Sequence, residues 1–320
     1  MNIFVTGGSG FLGKRLIKRL INDNHNVIAL ARSDSAQKTI EQLGVKVIKG
    51  NLDNINEWEA QLLGQDIVIH CAAPVEFWGS WDKFYQEITL ATKNLLISAS
   101  RMNVKRFIYI SSESVLQDVF PLIDIDETYP YPAEPNSYYG KAKKLAEEEI
   151  LDFSTNMKCI ILRPTYIWGK GDKTPQTLAQ KVKSGQFLWI DNGKCVIETV
   201  HVDNLVEAIS LACVKGENKE IYIVTDDEPI TVRDYFTKLF KISGINPPNT
   251  NLPSFIVNPL ASVIEATWKL FNIKTAPPLS RFEISFVAMP RKYNISKVKR
   301  ELGYKPIVTR ERGLQEMINV

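Results

Sequence analysis

Short apolar runs along this chain alternate with longer stretches in which charged and apolar residues recur at helical spacing. "NIFV", "NVIALA", "VKVIKG", "DIVIHCAA", "RFIYISS" and "KCIILRP" are rich in Val and Ile, the pattern of strands covered on both faces. Between them, "FLGKRLIKRLIND", "SAQKTIEQLG", "WDKFYQEITLATKNLLISASR" and "YYGKAKKLAEEEILDFS" set charges on one side and apolar residues on the other, as surface helices do. Strand alternating with helix implies right-handed crossovers. The pattern therefore predicts an α/β fold with a Rossmann-type doubly wound parallel sheet. After about Pro164 the regularity breaks, and Gly and Pro become frequent in "YIWGKGDKTP", "INPPNTNLP" and "TAPPLSR". The expected organisation is a sheet domain over residues 1–165, to which the chain returns around 197–224. A smaller, irregular α+β lobe over most of 166–320 is expected to shape a pocket.

One stretch, "PSFIVNPLASVIEATWKLFN", is roughly as long as a bilayer-spanning helix. Wound as a helix, it puts Asn258, Ser262, Glu265 and Lys269 on one face and Ile256, Leu260, Ile264 and Phe271 on another. That makes it amphipathic, so no transmembrane segment is expected. Its apolar face is expected to pack on the protein, the alternative being an oily substrate or a peripheral membrane contact.

Composition narrows the picture. The 320 residues are 44% hydrophobic and 23% charged, an ordinary globular mixture that excludes extensive disorder and fibrous repeats. Net charge is +3, from 39 basic and 36 acidic side chains, with no basic stripe, so no nucleic-acid partner is expected. The cysteines (Cys71, Cys159, Cys195, Cys213) and histidines (His25, His70, His201) are scattered, which predicts neither a disulfide framework nor a metal site. No basic leader precedes an apolar stretch, and a cytoplasmic location is the expectation.

The strongest chemical signal opens the chain. In "NIFVTGGSGFLGKRL" an apolar strand runs into Gly7, Gly10 and Gly13, and an amphipathic helix begins near Phe11. Glycines permit the tight turn and let backbone approach a pyrophosphate, which the free N–H groups of a helix start attract. Phe11 and Leu12 join Gly7, Gly10 and Gly13 as expected dinucleotide contacts. Some 20 residues further on, an acidic side chain would take the ribose 2′-hydroxyl of NAD. Ala31 and Arg32 stand there instead, and Asp34 lies beyond the strand end. Arg32 can meet a 2′-phosphate, so NADP(H) is favoured over NAD(H).

A Tyr-x-x-x-Lys spacing occurs three times, at Tyr139/Lys143, Tyr166/Lys170 and Tyr293/Lys297. With T-G-x-x-G-x-x-G at Thr6–Gly13 and Tyr139-x-x-x-Lys143 downstream, the chain resembles the extended short-chain dehydrogenase/reductase family. It looks most like the 3β-hydroxysteroid dehydrogenase-like branch, through "NLPSFIVNPLASVIEATWKLF" and "PPLSRFEISF". "GNLDN" resembles the adenine-contacting segment, with Asn51 where Asp is usual; "IHCAA" and "LRPTYIWGKGD" resemble two further signatures. The resemblance thus implies cofactor contacts from Asn51, Leu52, Cys71, Ala72, Ala73 and Pro164. One departure is Ile88, at a position where the family commonly has Asn.

Only Tyr139 opens a helix that follows a strand ending in "ISSES", and Lys143 shares its face one turn on. Tyr166 lies in the "YIWGKG" loop, and Tyr293 precedes the C-terminal helix, far along the chain from any serine-bearing strand end. A free phenol has a pKa near 10, and a nearby ammonium and a nicotinamide ring both favour the phenolate. Tyr139 is therefore expected to serve as acid/base and Lys143 to tune it. The resemblance adds that both contact the cofactor, with Lys143 on its ribose. Ser112 is expected to hold the substrate oxygen, with Ser114 second choice.

The reaction this implies is hydride transfer between NAD(P)(H) and a secondary alcohol or ketone on an apolar small molecule. Aromatic residues in "FWGSW" (Phe77–Trp81), "YIW" and "FLWI" are candidates for the pocket. Nucleotide-sugar epimerisation or dehydration is one alternative, for which Glu113 would be the proton-abstracting acid. An NADP(H)-binding sensor without turnover is another. The resemblance also implies a homodimer through the helices at 81–100 and 138–153.

Overall fold

A computed structural model describes residues 1–74, 78–271, 273 and 275–318. Phe77, one of the expected pocket aromatics, lies outside them. Seven parallel strands form the central sheet: β1 (Asn2–Thr6), β2 (Asn26–Ala31), β3 (Lys46–Lys49), β4 (Ile67–His70), β5 (Arg106–Ile110), β6 (Lys158–Pro164) and β7 (Glu220–Val224). Their order across the sheet is β7-β6-β5-β4-β1-β2-β3, the doubly wound arrangement whose switch point lies between β1 and β4. Every residue of β4 is buried, as are all but the first of β1 and of β5, which is why these strands read as unbroken apolar runs. β7 pairs with β6 from Glu220↔Ile160 to Val224↔Pro164.

Helices cover both faces. α1 (Phe11–Asn22) buries Leu16, Ile17 and Leu20 against one side of the sheet. α2 (Asp34–Glu41) starts on Ser33, whose hydroxyl accepts from the Ala36 amide. On the opposite face, α3 (Ala91–Arg101) and α4 (Tyr138–Asp152) pack with Phe4, Phe107 and Ile161. The single helix expected over "WDKFYQEITL…" is interrupted: a π-helical turn spans Tyr85–Leu90 ahead of α3. Such turns in α-helices often sit beside functional sites. Here it lets Thr89 Oγ1 donate to the Ala142 carbonyl of α4, a buried bond of 2.8 Å.

Beyond β6 the elements are short. The strand segment Tyr166–Trp168 pairs with Thr199–His201, and Val202–Val214 forms α5, which packs against α1. α6 (Ser254–Leu270) and α7 (Arg281–Ala288) cross one another, and β8 (Arg291–Tyr293) pairs with Leu122–Ile125. Trp168 and Trp189 are buried in an aromatic cluster with Tyr235, Phe236 and Phe240. "YIW" and "FLWI" therefore belong to the core and not to a pocket wall.

The face of α6 is a second correction. Only a narrow stripe, Val257 and Ala261, is buried, against Ile190 and Ile284. Ile256, Leu260 and Phe271, expected to pack on the protein, are 47%, 48% and 70% exposed, and Phe255, Val263 and Leu270 lie open beside them. The small Ala261 lets the helix approach closely along that stripe, which turns the larger side chains outward. No helix among the described residues is long and apolar enough to cross a membrane.

Candidate functional site

The glycine turn sits where β1 ends at the switch point. Gly7 has φ +74°, and a Cβ there would lie 2.7 Å from the Ala72 amide nitrogen, so Gly7 permits both the turn and the close passage of β4's end. A Cβ on Gly13 would lie 2.1 Å from the Gly7 carbonyl oxygen. Gly10 precedes α1 without any side-chain cap, so the first N–H groups of that helix are left for an anion. This bare backbone cradle fits a dinucleotide pyrophosphate.

Around it stand the other expected contacts. Cys71 bonds through its amide to the Thr6 carbonyl at 3.3 Å, and the Ala72 amide donates to Thr6 Oγ1 at 3.3 Å. Ala73 is half-buried next to them, and Pro164 closes β6. Arg32 follows β2 and is exposed. The nearest acid, Asp34, is engaged by Lys49 at 2.7 Å, a surface pair that lowers its pKa. Asn51 departs from expectation. Its Oδ1 accepts from the Asp53 and Asn54 amides, both at 2.9 Å, and its carbonyl accepts from Trp58 Nε1 at 2.7 Å. Its oxygens therefore hold the loop carrying Leu52.

The catalytic candidates come together. Ser137 caps α4 by accepting from the Gly140 amide at 3.0 Å, and this places Tyr139, Lys143 and Glu147 one turn apart on one face. Ser112 lies close enough to Tyr139 to act on its phenol, and the Lys143 amine stands 5.9 Å from the centre of the Tyr139 ring. Ser114 donates to Ser112 Oγ twice, from its hydroxyl at 2.9 Å and its amide at 3.2 Å. The Ser112 proton is thereby left to point onward, toward Tyr139 or a substrate oxygen. Ser111 is buried, with its hydroxyl unpartnered among the described residues. The other two Tyr/Lys pairs do not assemble: the Tyr166 hydroxyl donates to Asp172 at 2.6 Å, and Lys297 pairs with Glu220 at 2.5 Å.

The electrostatics differ from the sequence-based expectation. Burial pushes the Tyr139 phenol up to about 12, and the nearby Ser112 hydroxyl offsets only part of that. Lys143 does not acidify it here. Its own amine is buried, donates to the Ile110 carbonyl at 2.7 Å and is pushed down to about 7, chiefly by desolvation. Without the nicotinamide ring, burial therefore favours the neutral phenol over the expected phenolate. Lys143 lies close enough to His70 and Cys71 to act on both, which sets the Tyr139–Lys143 pair beside the cradle. His70, between Thr6 Oγ1 at 2.7 Å and Thr92 Oγ1 at 3.1 Å, is pushed to about 3 by burial and stays neutral. Ile88, the departure noted above, contributes its carbonyl to this network by accepting from Thr92 Oγ1 at 2.6 Å.

Two features escaped the sequence reading, the Glu147–Arg163 pair and the reach of Tyr293 to Glu113. Glu147 forms a buried two-pronged pair with Arg163 (2.6–3.1 Å), to which the Tyr131 hydroxyl adds a 2.6 Å bond. Its signals were an acid one turn after Lys143 and an arginine inside the apolar run "CIILRP". Glu113 is 5% exposed and accepts from the Tyr293 hydroxyl, so it anchors the turn and does not face a substrate. Tyr293, 180 residues away in sequence, is therefore in contact with the serine-bearing segment after all. A cavity of about 610 Å³ is lined by Trp78 and Trp81 of the "FWGSW" stretch with Tyr138, Trp268, Ile273 and Phe282, and Lys83, Lys141 and Glu265 are among its polar groups.

A doubly wound sheet with a bare glycine cradle at its switch point defines a dinucleotide-binding Rossmann protein. The NAD dependent epimerase/dehydratase family model matches residues 3–225, and the chain belongs to that family. It is 31% identical over 320 residues to the 4-hydroxy-2-methyl-3-oxo-4-farnesyl-3,4-dihydroquinoline-1-oxide ketoreductase of Stigmatella aurantiaca, covering 99% of this chain and 96% of that one. It is 33% identical over 326 residues to the decarboxylating sterol-4-alpha-carboxylate 3-dehydrogenase of Dictyostelium discoideum, covering 99% of each. Among solved structures it resembles that of gox2253, with TM-score 0.81, 27% identity and coverage of 99% and 96%. The protein is an NAD(P)-dependent oxidoreductase of the extended short-chain type, with 3β-hydroxysteroid dehydrogenase-like relatives.

Proposed function

We propose that this enzyme reversibly reduces a ketone on a large apolar molecule with NADP(H), using Ser112, Tyr139 and Lys143. The observation that carries the reading is the gathering of Ser112, Tyr139 and Lys143: Ser112 acts on the Tyr139 phenol, and the Lys143 amine stands 5.9 Å from its ring centre, near His70 and Cys71 of the cradle. The bound dinucleotide supplies or accepts the hydride. Ser112, its lone pairs taken by Ser114, donates to the ketone oxygen. Tyr139, held neutral by burial, gives that oxygen its proton during reduction and takes it back during oxidation. Lys143 holds the ribose side of the cleft. The aromatic cavity suits a wide apolar substrate, and the relatives named above act on a farnesyl-bearing quinoline oxide and on a sterol carboxylate. Glu113, occupied by Tyr293, is poorly placed for the proton abstraction that a sugar dehydratase needs.

Cofactor choice and substrate class share one assay: NADPH or NADH consumption with cholestan-3-one, 2-decanone, 3-oxododecanoate, UDP-glucose and dTDP-glucose. At least one ketone is expected to turn over, with NADPH the better donor. Arg32→Ala is expected to erase about tenfold of that preference, the loss of one charge-assisted contact. Turnover of the nucleotide sugars alone, or cofactor binding without any turnover, overturns the reading. An unchanged NADPH/NADH ratio in Arg32→Ala overturns the cofactor assignment.

The outward face of α6 fits a lipid surface. Ser262 and Thr267 turn their hydroxyls back onto the Asn258 and Val263 carbonyls (3.0 and 2.8 Å), which leaves Phe255, Ile256, Leu260, Val263, Leu270 and Phe271 as an apolar band. Glu265 and Trp268 of the same helix line the cavity, so the band would bring the cavity wall against a membrane that stores apolar ketones. The protein is expected to float with phosphatidylcholine/phosphatidylglycerol vesicles, and a Phe255→Glu/Phe271→Glu variant to stay in the dense fractions. Wild-type protein that stays behind with the variant refutes the contact.

A further inference from the structure

We propose that β8 positions the catalytic serine: Tyr293, with Arg291 beside it, holds the Glu113 carboxylate and so fixes the turn from which Ser112 reaches the substrate. The inference rests on the role given to Ser112 above.

The aim of Ser112 depends on a single 3₁₀ turn, Glu113–Leu116, buried throughout. Ser112 is its cap, and both of its bonds run to Ser114, so any rotation at the intervening Glu113 swings the hydroxyl. On one side the turn is backed by the helix that carries Tyr139. Gly140 has no Cβ, and one placed there would be 2.5 Å from the Ser114 carbonyl oxygen. On the other side stands β8. The Tyr293 hydroxyl donates to Glu113 Oε2, and Arg291 Nη1 lies 3.6 Å from Glu113 Oε1. Arg291 and Tyr293 are 3% and 4% exposed, so the Glu113 carboxylate meets these groups with little water to compete.

β8 is in turn tied to the cavity. Arg291 Nη2 donates to Ser285 Oγ at 3.3 Å. Ser285 also accepts, at 2.9 Å, from Nδ2 of Asn136, a residue of the cavity wall. Two hydrogen bonds and the Arg291–Glu113 ion pair thus join the cavity wall, the C-terminal segment and the serine turn. An anchor that served only to hold the segments together would affect folding and leave the serine's aim untouched. The positioning role predicts coupling to Ser112 itself.

The test is a double-mutant cycle of Tyr293→Phe and Ser112→Ala, on the fastest ketone of the panel with NADPH. Tyr293→Phe is expected to lower kcat about tenfold, the worth of one buried hydrogen bond, with ketone KM and NADPH Kd within about twofold. In the Ser112→Ala background the same change is expected to alter kcat by less than about twofold, because the group it aims is gone. Equal losses in both backgrounds, or no loss in Tyr293→Phe, overturn the positioning role while leaving the serine's role standing. Full activity of Ser112→Ala alone overturns the serine's role and this inference with it. Amide hydrogen exchange gives a readout independent of turnover. In Tyr293→Phe the 111–117 peptide is expected to exchange faster at unchanged global stability, and unchanged exchange counts against the proposal. If Tyr293→Phe does not fold, Arg291→Met is carried through the same cycle, with the same outcomes deciding.

Discussion

Tyr139→Phe is expected to lower kcat for ketone reduction by about a thousandfold, roughly 4 kcal/mol of barrier, while NADPH binds within about twofold of wild type. In the proposed mechanism the phenol is the acid that protonates the substrate oxygen, and burial raises its pKa to about 12. Removing its oxygen leaves the carbonyl with one hydrogen bond and no proton donor. The cradle does not depend on it: Gly7, Gly10 and Gly13 shape the turn by backbone alone, and Lys143 keeps its bond to the Ile110 carbonyl. Stopped-flow turnover and NADPH fluorescence titration, measured on the same preparation, separate the two effects. A variant that retained full kcat would remove Tyr139 from the mechanism.

The second large effect is on stability. Arg163→Met is expected to cost about 3–5 kcal/mol, read as a shift of the urea midpoint at constant slope. Glu147 and Arg163 are 0% and 2% exposed at the side chain and are joined by three bonds of 2.6–3.1 Å. Methionine fills the space of the arginine stem but leaves a buried carboxylate with only Tyr131 to satisfy it. The companion variant Glu147→Leu/Arg163→Met is expected to recover more than half of the loss, since a matched apolar pair leaves no buried charge. If the single variant melts with the wild type, water must reach the pair and the burial argument fails.

The contrast between what was legible in the chain and what was not follows sequence distance. The glycine turn and the Tyr139/Lys143 spacing are local: each is set by one turn or one helix whose geometry is known before any tertiary contact forms. Six of the seven strands were visible as apolar runs, because a sheet covered on both faces favours continuous Val and Ile, and the seventh lies within the expected return around 197–224. The Glu113–Tyr293 contact joins residues 180 positions apart and carries no local mark, so a conserved-looking spacing on Tyr293 pointed to nothing. The outward turn of α6 was equally hidden. Periodicity shows that a helix has an apolar face, but only packing decides whether that face or a small-residue stripe meets the body. The acidity of Tyr139 was out of reach for a third reason: the spacing to an ammonium is countable from sequence, whereas the desolvation that raises this phenol depends on burial.

The place of β7 at the sheet margin bears on how the polypeptide is made. Its partner β6 ends at Pro164, yet Glu220 is the first residue able to cover that flank, more than fifty peptide bonds later. While the ribosome works through the intervening span, β6 presents an open ladder of unpaired amides and carbonyls. Chaperone occupancy on nascent chains should therefore peak in that window and fall once Val224 clears the exit tunnel.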